Sequence, residues 1–180
     1  MTPAAARHNP AMSTSHDAPA RHTLRAATPA DLPAICGLIH ELAVFEKLEH
    51  LFQSTPEAMH PHLFGDKPVA EAVVAEVDGV VVGFALFFTN FSTFLARPGL
   101  YLEDLYVQPR FRSLGIGQAL LEHLAALAVE RGCGRFEWSV LDWNANAIGF
   151  YERMGASVLP DWRICRVTGE ALQGLGRRRV

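Results

Sequence analysis

Between Leu100 and Ala119 the chain reads LYLEDLYVQPRFRSLGIGQA, and no other stretch constrains the fold as tightly. It opens as an apolar, aromatic-rich strand with two carboxylates, Glu103 and Asp104, set inside it. Pro109 ends the strand, because proline has no N–H to give to a sheet. The run Arg112-Ser113-Leu114-Gly115-Ile116-Gly117 follows, and from Ile116 apolar residues recur at helical spacing through Leu120, Leu124 and Leu127. A strand, a glycine-bearing turn and a helix in that order form an anion-binding device. Backbone N–H groups and the positive end of the helix dipole converge on one point, and glycine lets a phosphate come close. The stretch predicts a phosphorylated cofactor.

Spacing narrows the choice of cofactor. A dinucleotide fingerprint wants a third Gly or Ala three positions after Gly117, but Leu120 stands there. A P-loop needs Gly-Lys-Ser/Thr after its four-residue gap, and the chain has none.

Around this stretch the pattern predicts a strand at Thr23–Ala27 and a helix from Thr28 or Asp31 with Leu32, Ile35, Leu38, Ile39, Leu42 and Phe45 on one face. Thr55-Pro56-Glu57 is an N-cap followed by proline at the first helical position, opening a helix to Phe64. Strands Val69–Val77 and Val80–Phe88 meet at Asp78-Gly79, a strong hairpin signal. After the glycine turn, a helix runs to about Glu130 and a strand spans Arg135–Leu141. A helix at Ala145–Met154 is stopped by Gly155, and Trp162–Val167 is a last strand. An antiparallel meander combined with a βαβ crossover predicts an α/β domain, its mixed central sheet covered by helices on both faces.

The chain has 180 residues, 49% of them hydrophobic, enough for one domain with a full core. A formal net charge of -3 argues against nucleic acid or an anionic membrane as partner. Cys36, Cys133 and Cys165 are odd in number and lack a CxxC pair, so they read as buried reduced thiols of a cytoplasmic protein. Residues 1–22, rich in Ala, Pro, Ser, Thr and His, read as a disordered extension with Met12 as a second candidate start, leaving 23–175 as the domain. Residues 176–180, with Arg177-Arg178-Arg179, read as a solvated basic tail. His60-Pro-His62 lacks further nearby ligands and reads as a surface loop, so no metal is expected.

The segment WSVLDWNANAIGFYERMGA, Trp138–Ala156, sharpens the functional reading. Asn144 stands where an N-cap belongs, and Phe150 and Tyr151 lie two turns on, pointing to different sides of their helix. Together, the Arg-x-x-Gly-x-Gly loop and the Asn-x-x-Ala-x-x-Phe-Tyr-x-x-x-Gly-Ala run resemble the GNAT superfamily of N-acetyltransferases, which use acetyl-CoA. Arg25–Leu32, Ile39–Lys47, Tyr101–Leu105 and Trp162-Arg163 resemble its diamine branch, the spermidine/spermine and thialysine types. The resemblance spans about residues 23–175 and implies a GNAT-like acyl-CoA N-acyltransferase fold.

It also implies roles. The strand backbone at Leu105 to Val107, with Tyr106 between, would meet the pantetheine arm. Arg112 opens the loop, and Ser113, Leu114, Gly115, Ile116, Gly117 and Gln118 would hold the pyrophosphate. Asn144 and Ala147 would complete the cofactor site, with Tyr151 as general acid. Glu103 would receive the substrate amine, and Phe45 and Glu46 would line its pocket. Before Trp162 the chain is shorter than the polyamine enzymes, and their acidic cluster is reduced to Asp161. The implied substrate is a small cationic primary amine, the implied assembly a homodimer.

The residues fit such chemistry. An alkylammonium has a pKa of about 10 and cannot attack a thioester until it loses a proton, which a carboxylate can accept. A strand N–H near Leu105 suits the oxyanion, and a tyrosine hydroxyl suits the departing thiolate. Adjacent residues on a strand point to opposite faces, so Glu103 and Asp104 cannot both line one cleft, and Asp104 needs a structural partner. A non-catalytic acyl-CoA-binding module would keep the loop without needing both Glu103 and Tyr151. An enzyme for protein amines would need an open acidic groove.

Overall fold

The computed structural model describes residues 22–178. Residues 1–21 of the expected extension, and Arg179 and Val180 of the expected tail, lie outside the described residues. The chain divides after Ser139 into two compact units.

The first unit is built on a five-stranded sheet: β1 (His22–Ala26), β2 (Glu71–Val77), β3 (Val80–Ser92), β4 (Arg97–Val107) and β5 (Phe136–Trp138), in spatial order β1-β2-β3-β4-β5. The first three pairings are antiparallel and β4–β5 is parallel, as the meander-plus-crossover pattern demands. Asp78 (φ 51°) and Gly79 (φ 76°) both take the left-handed conformation that a two-residue hairpin turn requires. Strands β3 and β4 run further than their apolar cores suggest, because Thr89–Ser92 continue the ladder against Arg97–Leu100.

Helix α1 (Leu32–Phe45) lays Leu32, Ile35 and Leu38 on one face of the sheet, against Val74, Phe84 and Tyr106. Leu63 of α2 (Pro56–Phe64) joins that cluster, and the Thr55 hydroxyl caps α2 by accepting from the Ala58 N–H at 3.2 Å. Each such aliphatic side chain contributes about 1.5–3 kcal/mol by leaving water. Helix α3 (Ile116–Glu130) buries Ile116, Leu120, Leu121, Leu124 and Ala128. Residues Ala72 to Ala75 of β2 are all buried, so both faces of the sheet are covered. Cys36, Cys133 and Cys165 are free, but only Cys36 is buried, which corrects the expectation for the other two.

Two departures from regularity matter for the site. The β3–β4 register slips between Leu86 and Phe87: Phe87 faces Leu102 and Leu86 faces Asp104, so Glu103 is an extra residue in a β-bulge. The parallel pairing of β5 stops one residue earlier, at Leu102 opposite Trp138. Strand β5 is therefore three residues long, not the seven of Arg135–Leu141, because β4 bulges where pairing would continue.

The second unit holds α4 (Ala145–Arg153) and α5 (Gly169–Arg177). The strand expected at Trp162–Val167 does not form: these residues carry no regular structure, and no strand exists among the described residues of this unit to pair with them. Helix α5 was not expected, and it takes up the first two residues of the expected tail. No helix among the described residues is long and apolar enough to cross a membrane.

Candidate active site

Two backbone irregularities shape the glycine loop. After a 3-10 turn at Pro109–Phe111, Ser113 has φ 67° and Gly115 has φ 77°. Gly115 takes that conformation freely, while Ser113 takes it under strain, a feature that clusters at ligand sites. The first helical amide with a backbone acceptor is Ala119, whose N–H donates to the Gly115 carbonyl at 2.9 Å. The amides ahead of it are the orphan donors of a helix N-terminus. A Cβ on Gly115 would meet nothing within 4 Å, so the space in front of the loop is open. Residues Ser113 to Gln118 thus fit an anionic phosphate group, with Leu114 exposed and Ile116 anchoring the helix in the core.

The bulge gathers the acid groups. Asp104 is half-buried, and that burial together with the negative charges of Glu103 and Glu46 pushes its pKa up to about 6. Burial alone raises Glu46. Asp104 therefore senses the charges of Glu103 and Glu46 where β4 bulges beside the carboxyl end of α1. The bulge interrupts the regular two-residue alternation at this pair, leaving Glu103 exposed and Asp104 half-buried. The structure corrects the expected structural partner, since among the described residues Asp104 has neither an ion pair nor a hydrogen-bond donor.

Leu105 and Val107 belong to the stretch of β4 that β5 leaves unpaired. The Tyr106 side chain turns the other way, into the core under α1, where its hydroxyl donates to Glu41 Oε2 at 3.1 Å. Gln108 Nε2 donates to the other Glu41 oxygen at 2.8 Å. The Arg112 guanidinium lies over the rings of Phe45 (5.4 Å) and Tyr106 (5.5 Å), and its Nε donates to the Val107 carbonyl at 3.0 Å. The first unit thus brings Phe45, Glu46, Glu103, Leu105, Tyr106, Val107 and the loop from Arg112 to Gln118 onto one end of β4 and its neighbours.

In the second unit, the Asn144 side-chain oxygen accepts from the Ala147 N–H at 3.2 Å, so the two residues named for the cofactor are joined as a helix cap. Tyr151 follows on α4, its ring centroid 5.4 Å from that of Phe150 and tilted by 50°. Gly155 ends the segment with φ 91°. Asp161 lies in an exposed turn.

A model of the acetyltransferase (GNAT) family matches residues 38–156, which take in the bulged strand, the glycine loop and α4. The chain belongs to the GNAT acetyltransferase family. It is 38% identical to an L-ornithine N5-acetyltransferase of Arabidopsis thaliana, over 87% of this chain and 89% of that one. It is 37% identical to a thialysine N-epsilon-acetyltransferase of Mus musculus, over 86% of this chain and 97% of the relative. A human spermidine/spermine N(1)-acetyltransferase-like protein 1 is 31% identical over 83% of this chain, which spans only 23% of that protein. Among solved structures, an integron cassette protein from the mobile metagenome of V. cholerae superposes with a TM-score of 0.73 at 24% identity, covering 87% of this chain and 98% of that one. That likeness shows the fold.

Sequence reasoning did not assign roles to Asp104, Glu41 and Gln108 in this GNAT enzyme. A bulge leaves no mark on the apolar pattern, so the sequence showed Asp104 as a carboxylate in an apolar strand but not its place beside Glu46. Glu41 did carry a signal: a carboxylate one turn before Phe45 on a mostly apolar helix.

Proposed function

We propose that this acetyltransferase transfers an acetyl group from acetyl-CoA to the primary amine of a small cationic molecule, by direct attack in a ternary complex. The observation that carries the reading is that Asp104 lies within electrostatic reach of Glu46 and Glu103 at the β4 bulge, with no cation ion-paired to any of the three among the described residues. A net negative, half-buried pocket selects an ammonium. We assign Phe45, Glu46 and Asp161 to binding of the amine, and Glu103 to the role of proton acceptor.

Acetyl-CoA, when bound, supplies an activated acetyl thioester. Ser113 to Gln118 hold its pyrophosphate through backbone N–H groups, and the unpaired edge of β4 from Leu105 to Val107 accompanies its pantetheine arm. Asn144 and Ala147 complete the cofactor site. Glu103 holds the ammonium and accepts its proton, directly or through water, while Asp104 and Glu46 strengthen the negative field that draws the cation in. Tyr151 donates its phenolic proton as the thiolate leaves. No covalent bond to the chain is required. The ornithine and thialysine activities named for the relatives support an amine of that size. We assign residues 23–175 to one catalytic domain, acting as a homodimer in the cytoplasm.

The test is Tyr151→Phe. It removes one hydroxyl, so kcat should fall by about 10²–10⁴, the range for losing a general acid, while the KM for acetyl-CoA moves little. Steady-state kinetics with thialysine as acceptor measures both, and an unchanged kcat removes Tyr151 from the reaction.

A further inference from the structure

The sequence pattern gives Arg112 to the cofactor as the first residue of the glycine loop, yet its guanidinium points back toward α1. It lies over two aromatic rings, Phe45 at 5.4 Å and Tyr106 at 5.5 Å, and its Nε donates to the Val107 carbonyl at 3.0 Å. Tyr106 is pinned in turn, since its hydroxyl donates to Glu41, whose second oxygen accepts from Gln108. These contacts tie the start of the loop, the end of β4 and the last turn of α1 into one cluster.

That last turn needs holding. Helix α1 ends with Lys47 in the left-handed conformation, φ 62°, where glycine is the usual occupant. The end is closed by three hydrogen bonds, Glu46 N–H to Leu42 at 2.9 Å, Lys47 N–H to Val44 at 3.1 Å and Leu48 N–H to Ala43 at 2.8 Å. Phe45 is 40% exposed, so apolar burial anchors it weakly. The Arg112 guanidinium over the Phe45 ring joins this turn to the loop, and cation–π contacts of this kind are individually small but specific in geometry.

We propose that Arg112 is a positioning residue that couples the glycine loop to the carboxyl end of α1, so that a ligand ordering the loop also orders Phe45 and Glu46. The inference rests on the proposed function only for the identity of the two sites. Occupancy of the loop fixes Arg112, Arg112 fixes the Phe45 ring, and Glu46 follows as the next residue. By linkage, an amine seated against Glu46 tightens the cofactor by the same factor.

The experiment uses the full chain and CoA as the probe. Hydrogen exchange over residues 42–48 is followed with and without CoA, beside a thermal-shift titration that reports CoA binding itself. In the wild type CoA should slow exchange at Glu46 and Leu48 about three-fold or more. Arg112→Met should keep most of the CoA-induced rise in Tm and lose that protection, and the amine KM should rise about tenfold while the acetyl-CoA KM moves less than about threefold. Arg112→Lys discriminates further: a point charge serves a phosphate but cannot supply the planar stack and fork, so lysine should behave like methionine. Rescue by lysine, or loss of CoA binding in Arg112→Met, would make Arg112 a phosphate ligand and overturn the proposal. Should Arg112→Met not fold, Phe45→Leu removes the partner ring and should give the same loss of protection; retained protection there also overturns it. A wild type that binds CoA without protection at 42–48 defeats the coupling alone. A wild type whose Tm ignores CoA defeats the proposed function with it.

Discussion

At the scale of single residues, Asp104 has the most measurable consequence. Its pKa stands at about 6 against an ordinary 3.8, with burial the first cause and the charges of Glu103 and Glu46 behind it. The folded chain therefore keeps this proton to higher pH than the unfolded chain does. Stability falls as pH rises from 3.8 to about 6, and above that window the cost of the buried charge is fully present. Asp104→Asn keeps the shape and removes the charge. It should raise the free energy of unfolding at pH 7.5 by about 1–3 kcal/mol, with little change near pH 4. Urea denaturation at the two pH values checks this, and equal effects at both would mean that the carboxylate is not destabilised. An ammonium in the pocket would reverse the sign by favouring the ionised form. A stabilising Asp104→Asn that also weakens amine binding is thus the signature of a residue held for function against stability.

At the scale of elements, one ionic knot joins the start of the chain's fold to the middle of its sheet. Arg25 of β1 donates to both oxygens of Asp31 at 2.7 and 2.8 Å and to Glu76 of β2 at 2.6 and 3.1 Å. Asp31 is buried, and it also accepts from the Thr28 N–H at 2.7 Å ahead of α1. The hydrogen bonds from Arg25 hold its carboxyl well below the usual carboxylate range, so its contribution is present at neutral pH and is lost only in acid. Arg25→Met leaves that carboxylate uncompensated and should cost about 3 kcal/mol at pH 7, a deficit that shrinks below about pH 4 as Asp31 takes up a proton. Chemical denaturation at both pH values reads this, and a pH-independent deficit would assign the loss to packing. The elements themselves were largely legible. The period of α1, the Thr55-Pro56 cap, the Asp78-Gly79 turn and the glycine loop are each decided by a few neighbouring residues, and each stands where the pattern puts it. The failures are non-local. Trp162–Val167 is rich in residues that favour strands, but composition does not supply a neighbour to pair with. Helix α5 opens on Gly169 and contains Gly174 and Gly176, residues of poor helix propensity, so it sent no signal. The register slip at Leu86 and Phe87, which assembles the acidic cluster, is a property of two strands together and cannot be read from either.

At the scale of the whole molecule, cofactor and substrate make separable predictions. A ligand bound by the folded chain alone stabilises it by about 2.7 kcal/mol at a hundred times its Kd, so saturating CoA should raise Tm by about 5–10 °C. Gly115→Ala places a methyl where nothing stands within 4 Å, so the free protein loses only the strain of an L-residue at φ 77°. The same methyl would meet an approaching phosphate, and the CoA-induced rise should shrink to a fraction of the wild-type value in a thermal-shift titration. A full rise in Gly115→Ala would move the pyrophosphate elsewhere. The acceptor is the second test. A long polyamine needs carboxylates spaced along a channel, one for each ammonium. Here the acid groups are concentrated: Glu46, Glu103 and Asp104 share one end of β4, and only Asp161 remains before Trp162. A concentrated cluster suits a short molecule whose single reacting ammonium is held tightly, as ornithine or thialysine would be. The expected order of kcat/KM is therefore thialysine or ornithine above spermidine, and spermidine above spermine, by about tenfold or more from first to last at equal salt. Tenfold corresponds to about 1.4 kcal/mol of differential transition-state binding, roughly one well-placed ammonium–carboxylate contact. A preference for spermine by that factor would mean that acidic groups beyond this cluster line the substrate's path.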